Sequence, residues 1–256
     1  MKLLPVQSSR DLIRNNASRS MQRHTWKIVS HDIEFDSLDD QPVVDHVTKR
    51  NAVVVLAGGL GSRLGSNKAL HPIAGKPMIR HVVDRVSGLA KELLVVVAKN
   101  ASPNEYRGVL PDSVAVVCDE LEGKTPLVGI ITGLRTLRSD YAIILSCDIP
   151  FVNKYVLQLV LESAHGANAS VPKWKSGRLE PLQAAYQRSE MLDKAEETFS
   201  EGKLSPTDAI RKLGKVVYVP VEEEISKIDS ELTTFFNVNT KDDLAHAEMI
   251  LKRGST

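Results

Sequence analysis

The sequence predicts an α/β domain with a mostly parallel central sheet, and two observations carry that expectation. Short apolar runs rich in β-branched residues recur along the chain and alternate with segments of helical spacing. The first of these runs ends at glycines, and it has the continuous apolar character of a strand buried on both faces.

That first run is Val53-Val54-Val55-Leu56-Ala57, and similar runs fall at Leu93–Ala98, Val114–Cys118, Ala142–Cys147 and Val216–Val219. Between them lie the helices. Pro77 suits a first helical position, and Met78, Val82, Val83, Val86 and Leu89 then share one helical face. Pro126 opens a second helix with Leu127, Ile130, Ile131, Leu134 and Leu137 on its apolar side. Asn153–Ala164 and Lys241–Lys252 read likewise. The remaining segment, residues 1–49, is polar, with basic residues around Arg10–Arg23 and acidic ones around Asp32–Asp45. It reads as a poorly ordered or loosely packed N-terminal extension, in which 26–35 could supply one strand, ahead of a domain over 50–256.

Composition narrows the function classes. The 256 residues carry 33 Lys plus Arg against 32 Asp plus Glu, a net charge of +1, which excludes a polybasic nucleic-acid binder. With 42% hydrophobic and 25% charged residues, the chain has the makeup of an ordinary globular protein. Two cysteines, Cys118 and Cys147, make no disulfide framework and no zinc pattern; they read as reduced, buried thiols and place the chain in the cytoplasm. The first residues turn polar at Gln7, which is not expected of a secretory signal, and no apolar run predicts a membrane span.

In open α/β sheets ligands bind beyond the carboxyl ends of the strands. The first strand ends in Leu56-Ala57-Gly58-Gly59-Leu60-Gly61-Ser62-Arg63-Leu64-Gly65-Ser66-Asn67-Lys68. Four glycines within 58–65 let the backbone turn tightly and aim N–H groups at an anion. Ser62 adds a hydroxyl, and Arg63 and Lys68 add cations that reach phosphate oxygens. The loop is not a P-loop, because no Gly is followed at the required spacing by Gly-Lys-Ser/Thr. Nor is it a dinucleotide fingerprint: the spacing is Gly59-x-Gly61-x-x-x-Gly65, and Pro72, Gly75 and Pro77 bar a long helix at the glycines.

Three further strand ends carry polar residues. Asp148, after Ala142–Cys147, can hold Mg²⁺ together with substrate phosphates, because that ion takes few carboxylates and keeps waters; its bland alternative is a helix cap. Asp119 is a second carboxylate at the same edge, and Asn100 offers an amide to a base or ribose. The histidines are scattered without HxxxH or HExxH spacing, and Ser62 lacks a GxSxG context, so neither a zinc site nor a hydrolase triad is expected.

These residues resemble the nucleotidyltransferase superfamily with a glycine-rich, pyrophosphorylase-type loop. The loop Leu56-Ala57-Gly58-Gly59, Arg63-Leu64-Gly65, Lys68-Ala69-Leu70 and then Gly75-Lys76-Pro77-Met78 is similar to its entry motif. Within the superfamily the chain resembles the molybdenum cofactor guanylyltransferases over about 51–252, through Pro126–Ile130, Cys147–Phe151, Glu180–Tyr186 and Phe236–Thr240. The resemblance implies a three-layer, Rossmann-like nucleotidyltransferase domain that uses GTP, molybdopterin or its molybdenum-loaded form, and Mg²⁺ or alternatively Mn²⁺. It implies nucleotide contacts at Leu56, Ala57, Gly58, Gly59, Gly61, Ser62, Asn100 and Asp119, with Arg63 and Lys68 on the phosphates. It implies a metal at Asp148, acceptor contacts at Asn237 and Asn239, and transient contact with other molybdenum cofactor proteins. Asn67 departs from the pattern, since many members carry Asp just before the Lys; this implies altered electrostatics. A guanylyltransferase acting on adenosylcobinamide phosphate stays open through Asn239–Leu244, as do a sugar-1-phosphate nucleotidyltransferase and a non-catalytic nucleotide-binding protein.

Overall fold

In the computed structural model, which describes residues 51–58, 67–121 and 125–253, the first apolar run is strand β1 (Asn51–Leu56), buried at all six positions. A small antiparallel hairpin follows, β2 (Pro72–Ile73) with β3 (Lys76–Pro77). Its turn residues Ala74 and Gly75 both have positive φ, 49° and 79°, the hand that matches hairpin twist. Then come helix α1 (Met78–Val86), β4 (Glu92–Val97), α2 (Pro103–Arg107), β5 (Ala115–Cys118), α3 (Pro126–Thr136) and β6 (Tyr141–Ser146). The chain continues through α4 (Lys154–Ala164), β7 (Ala169–Lys173), β8 (Gln183–Gln187), α5 (Arg188–Ser200), α6 (Pro206–Arg211), β9 (Val216–Pro220) and α7 (Lys241–Arg253).

Among the described residues, seven strands form one sheet in the order β5-β4-β1-β6-β8-β7-β9. Every neighbouring pair is parallel except the two that involve β8, which runs against both β6 and β7. Side chains alternate between the two faces with the strand period. Val53, Val55, Val95, Ile143 and Leu145 pack against α1 and α4. Ala52, Val54, Leu56, Val96 and Ile144 pack against α3, α5 and α6. Both faces are covered, which is why the strands read as continuous apolar runs rather than alternating ones. The expected three-layer α/β domain is therefore the observed one.

Several expectations are refined. Helix α1 begins at Met78, with Pro77 as its cap, and ends at Val86 before Gly88 turns at φ 80°; Leu89 packs on the core from beyond the helix. Leu137 likewise lies one residue past α3 and is buried. Both cysteines are free, but only Cys147 is buried; Cys118 is half-buried. The sequence patterns do not reveal α2, α5, α6, β7 or β8. Among the described residues no helix is long and apolar enough to cross a membrane. The extension 1–49, with its candidate strand at 26–35, lies outside the described residues.

Helix α3 approaches β1 closely at Gly133, where an added Cβ would stand 2.7 Å from Val54 Cγ1. Val54 is a stiff, fully buried side chain at the sheet centre, so it cannot swing aside. Gly133→Ala is expected to destabilise the domain by about 1–3 kcal/mol despite the better helix propensity of Ala, seen as a lower urea midpoint. At Gly129 the nearest atom is the tip of Leu56 at 3.1 Å, and Gly129→Ala is expected to destabilise less.

Candidate active site

Four parallel strands deliver their carboxyl ends to one edge of the sheet: β1 at Ala57-Gly58, β4 at Asn100, β5 at Asp119 and β6 at Asp148. Backbone bonds lock these ends together. Ala57 N–H donates to Val96 O (2.7 Å), Cys147 N–H to Leu56 O (3.1 Å), and Asp119 N–H to Val97 O (2.9 Å). A Cβ on Gly58 would lie 3.4 Å from Asp119 Oδ2 and 3.5 Å from Ala98 N, so the first strand end and Asp119 meet across a gap that a larger residue would crowd.

Lys68 opens a short 3-10 turn, Lys68–Leu70, on the far side of the glycine loop. Its ammonium lies 2.5 Å from Asp148 Oδ2 and 2.6 Å from Asn239 Oδ1. The side chains of Lys68 and Asp148 are only 12% and 15% exposed. The second oxygen of Asp148, Oδ1, is buried without a hydrogen-bond partner.

Asn239 is held from the other side. Asp243 Oδ2 accepts the N–H groups of Asn239 (2.9 Å) and Thr240 (2.8 Å), while Thr240 Oγ1 accepts from Asp243 N–H (3.1 Å). This reciprocal cap starts α7, and its backbone donors hold the Asp243 carboxyl below its ordinary pKa. Val238 N–H donates to Asp148 O (2.9 Å), which ties the stretch to the sheet edge.

Asp119 stands apart from this ion pair. Its Oδ1 is buried beside α3, and burial pushes its pKa up against the lowering influence of the Thr132 hydroxyl. Burial also pushes the Cys147 thiol up to about 12, so it stays protonated and is no nucleophile.

The structure thus brings together Leu56, Ala57, Gly58 and Asp119 at one part of the edge, and Lys68, Asp148 and Asn239 at another. Asn237 is not drawn in: its amide donates to Phe235 O (3.1 Å), folding back on its own chain. Asn100 is exposed in the turn after β4. Gly59, Gly61, Ser62 and Arg63 lie outside the described residues. The sequence reading missed Tyr106, a buried residue of α2. Its hydroxyl accepts from Asn67 Nδ2 (2.7 Å) and lies 3.5 Å from Ala57 O, touching both shoulders of the glycine loop. Asn67, the departure from the family pattern, is therefore a donor to a phenol. Only the aromatic residue of a short Pro-led helix hints at this in the sequence. Gln183 was also missed; it begins β8 opposite Leu145, with Oε1 buried and unpaired.

The carboxyl edge of the sheet thus places a lysine and a carboxylate where α/β folds bind their ligands, and sequence comparison identifies the class as nucleotidyltransferase. Residues 53–216 match the MobA-like NTP transferase domain, and the chain belongs to that family. A relative from Methanosarcina mazei, described as a probable molybdenum cofactor guanylyltransferase, is 36% identical over 75% of this chain and 88% of its own. The molybdenum cofactor guanylyltransferase of Desulfosudis oleivorans is 31% identical over 78% and 96%. The crystal structure of molybdopterin-guanine dinucleotide biosynthesis protein A from Archaeoglobus fulgidus superposes with a TM-score of 0.67 at 31% identity, covering 79% of this chain and 99% of that one. A cytidylyltransferase from Thermus thermophilus, at 18% identity and a TM-score of 0.57, shares the fold.

Two outcomes follow from this geometry. Because burial raises the folded-state pKa of Asp119, its ionisation opposes folding: the stability it withholds is present below the unfolded carboxyl pKa of about 3.9 and is lost as pH rises through the raised value. Asp119→Asn is expected to raise the urea midpoint at pH 7, with the gain shrinking towards pH 4. Tyr106→Phe removes the partner of Asn67 and is expected to lower stability by about 1 kcal/mol in the same measurement.

Proposed function

We propose that the chain transfers GMP from GTP to the terminal phosphate of molybdopterin, or of its molybdenum-loaded form, releasing pyrophosphate and forming a guanine dinucleotide. The observation that carries this reading is the ammonium of Lys68 between Asp148 Oδ2 (2.5 Å) and Asn239 Oδ1 (2.6 Å). One charge there joins the shoulder of the glycine loop, the sheet edge and the C-terminal stretch read as the acceptor side. The molybdenum names carried by the relatives from Methanosarcina mazei and Desulfosudis oleivorans support the choice of acceptor.

An acceptor phosphate oxygen bonds to the α-phosphorus of GTP as the bond to the bridging oxygen of the β-phosphate breaks, and pyrophosphate leaves with that electron pair. A phosphate monoester, with a second pKa of about 6, is largely dianionic at neutral pH and needs no general base. The chain's work is positioning and charge balance. Leu56, Ala57, Gly58, Asn100 and Asp119 would bind the nucleoside end. The N–H groups of the loop at Gly59 and Gly61, with Ser62, Arg63 and Lys68, would hold the phosphates. Asn239 and Asn237 would hold the acceptor, Asn237 after leaving Phe235 O.

The residues fit a divalent cation. Asp148 Oδ1 is a buried, unpartnered hard oxygen of the kind Mg²⁺ takes. Asp148 would hold Mg²⁺, with Mn²⁺ as the alternative, and the ion supplies positive charge beside the polyphosphate when bound. We place the reaction in the cytoplasm, where the free thiols Cys118 and Cys147 stay reduced.

The test is pyrophosphate release from GTP with each acceptor. Release dependent on molybdopterin is expected. Release only with adenosylcobinamide phosphate would replace the acceptor, and GTP binding without turnover on either would replace the enzymatic reading. Asp148→Ala is expected to abolish transfer in Mg²⁺ buffer while the circular dichroism stays native. Lys68→Ala is expected to lower kcat by ~10²-fold or more, as loss of a preorganised charge partner does.

A further inference from the structure

A cavity of about 530 Å³ lies beside the Asn237–Asn239 stretch, and neither the fold nor the proposed phosphate chemistry uses it. Its walls include Trp174, Arg178, Glu231, Phe235, Phe236 and His246. The Glu180-Pro181-Leu182 motif acquires a role here. Glu180 Oε1 accepts from Trp174 Nε1 (2.6 Å) and pairs with Arg178 Nη2 (2.9 Å). Glu180 thereby sets the indole on edge and lays the guanidinium over its ring, 4.7 Å from the centroid. Phe235 packs against the same indole at 5.3 Å, and Phe236 against His246 at 5.3 Å.

A second segment of the lining is held by its own bonds. Leu232, which lines the cavity, sits in the left-handed region at φ 52°, an uncommon place for a branched side chain. The loop is fixed there by Asp229, which is almost wholly buried and accepts the N–H of Thr234 at 2.8 Å.

We infer that this cavity binds the pterin ring of the acceptor. Its chemistry suits a flat, aminated heterocycle. The Arg178 guanidinium, laid over the indole, and the neighbouring Phe236 and His246 rings offer flat surfaces for stacking. The carboxylate of Glu231 complements the N–H donors of a 2-amino-4-oxopyrimidine edge, and Arg178 complements its carbonyl and ring nitrogens. Guanine presents the same edge, so position decides between the two sources. The nucleoside candidates Ala57, Gly58 and Asp119 cluster at the ends of β1, β4 and β5, whereas the cavity lies on the other side of β6, beyond β8 at the end of β7. Two strand spacings separate β6 from β7, about 10 Å. Phe236 is two residues from Val238, whose N–H is bonded to Asp148 O, a reach of about 7 Å at most. A tricyclic pterin with its phosphomethyl arm spans that gap and sets its phosphate beside Lys68 and Asp148.

This inference rests on the proposed acceptor, and the experiment separates the two. The probe is 6-hydroxymethylpterin, which carries the ring and no phosphate, titrated calorimetrically into the full chain and added to the transfer assay. It is expected to bind, to compete with molybdopterin and not with GTP, and to weaken about tenfold in both Arg178→Ala and Glu231→Gln. The same variants are expected to raise the KM for molybdopterin about tenfold and leave that for GTP unmoved. No binding, equal binding to both variants, or competition with GTP overturns the pterin cavity. Transfer to molybdopterin with an unchanged KM in both variants also overturns it while leaving the reaction standing. Pterin binding weakened in both variants upholds the cavity even where no transfer is seen, and the reaction alone then falls.

Discussion

The structure turns on one half-buried ammonium. Lys68 is shared between Asp148 and Asn239, partners 80 and 171 residues away along the chain. Withdrawing Asp148 would leave the ammonium unpaired in a site with little solvent to receive it, and withdrawing Asn239 would cost it a hydrogen bond. The surrounding bonds make the arrangement stiff. Cys147 N–H holds the end of β6 to Leu56, Val238 N–H holds the C-terminal stretch to Asp148, and Asp243 caps Asn239 into place. Contacts this distant carry a large loop-closure entropy, which the two buried core layers on the sheet must offset. The same stiffness suits a reaction that needs charges placed in advance rather than a base or a nucleophile.

Much of the fold was legible because parallel strands buried on both faces have a plain signature. Val53–Ala57, Leu93–Ala98, Val114–Cys118, Ala142–Cys147 and Val216–Val219 all mark observed strands, with ends displaced by a residue or two. The half of the sheet beyond β6 was less legible for a physical reason. Strand β7 contains Pro172, which reads as a strand breaker but is tolerated because Val219 pairs with it in a parallel ladder that spares its missing N–H. Strand β8 is Gln-Ala-Ala-Tyr-Gln, with no β-branched residue and only Tyr186 favouring a strand, and gains its strand character from the neighbours on both sides. Helix α5 is too polar for its stripe to stand out, and only Met191, Ala195 and Thr198 are buried.

The site was legible where it depends on strand ends and opaque where it depends on side-chain partners. The placement of Lys68, Asp119 and Asp148 at the carboxyl edge follows from the rule that ligands meet that edge. That Asn239 reaches Lys68 while Asn237 folds back onto Phe235 O is not written in an Asn-x-Asn pattern. It follows from the cap at Asp243, which turns the chain at that residue. The bond of Asn67 to Tyr106 likewise joins residues 39 apart and has no local signal.

The reversal of β8 explains how one sheet edge holds two separate loci. A parallel strand next to β6 would have brought its own carboxyl end, and a helix behind it, directly against Asp148. An antiparallel β8 instead presents its first residue, Gln183, at that edge and is entered by the loop that leaves β7. That loop runs from Trp174 to Leu182 and is braced internally: Trp174 N–H donates to Arg178 O (2.9 Å), and Glu180 N–H to Pro172 O (3.0 Å). Because it is anchored to its own strand, it can carry the half-buried Trp174 and charged side chains without leaning on the phosphate site. Ala57, Gly58 and Asp119 lie on one side of β6 and the Glu180-braced loop on the other. Asp148 stands between them, at the only strand end that both sides share with the C-terminal stretch among the described residues. Such a division suits the proposed transfer, in which GTP carries the reacting phosphorus on one side and the acceptor oxygen must reach it from the side opposite the departing pyrophosphate.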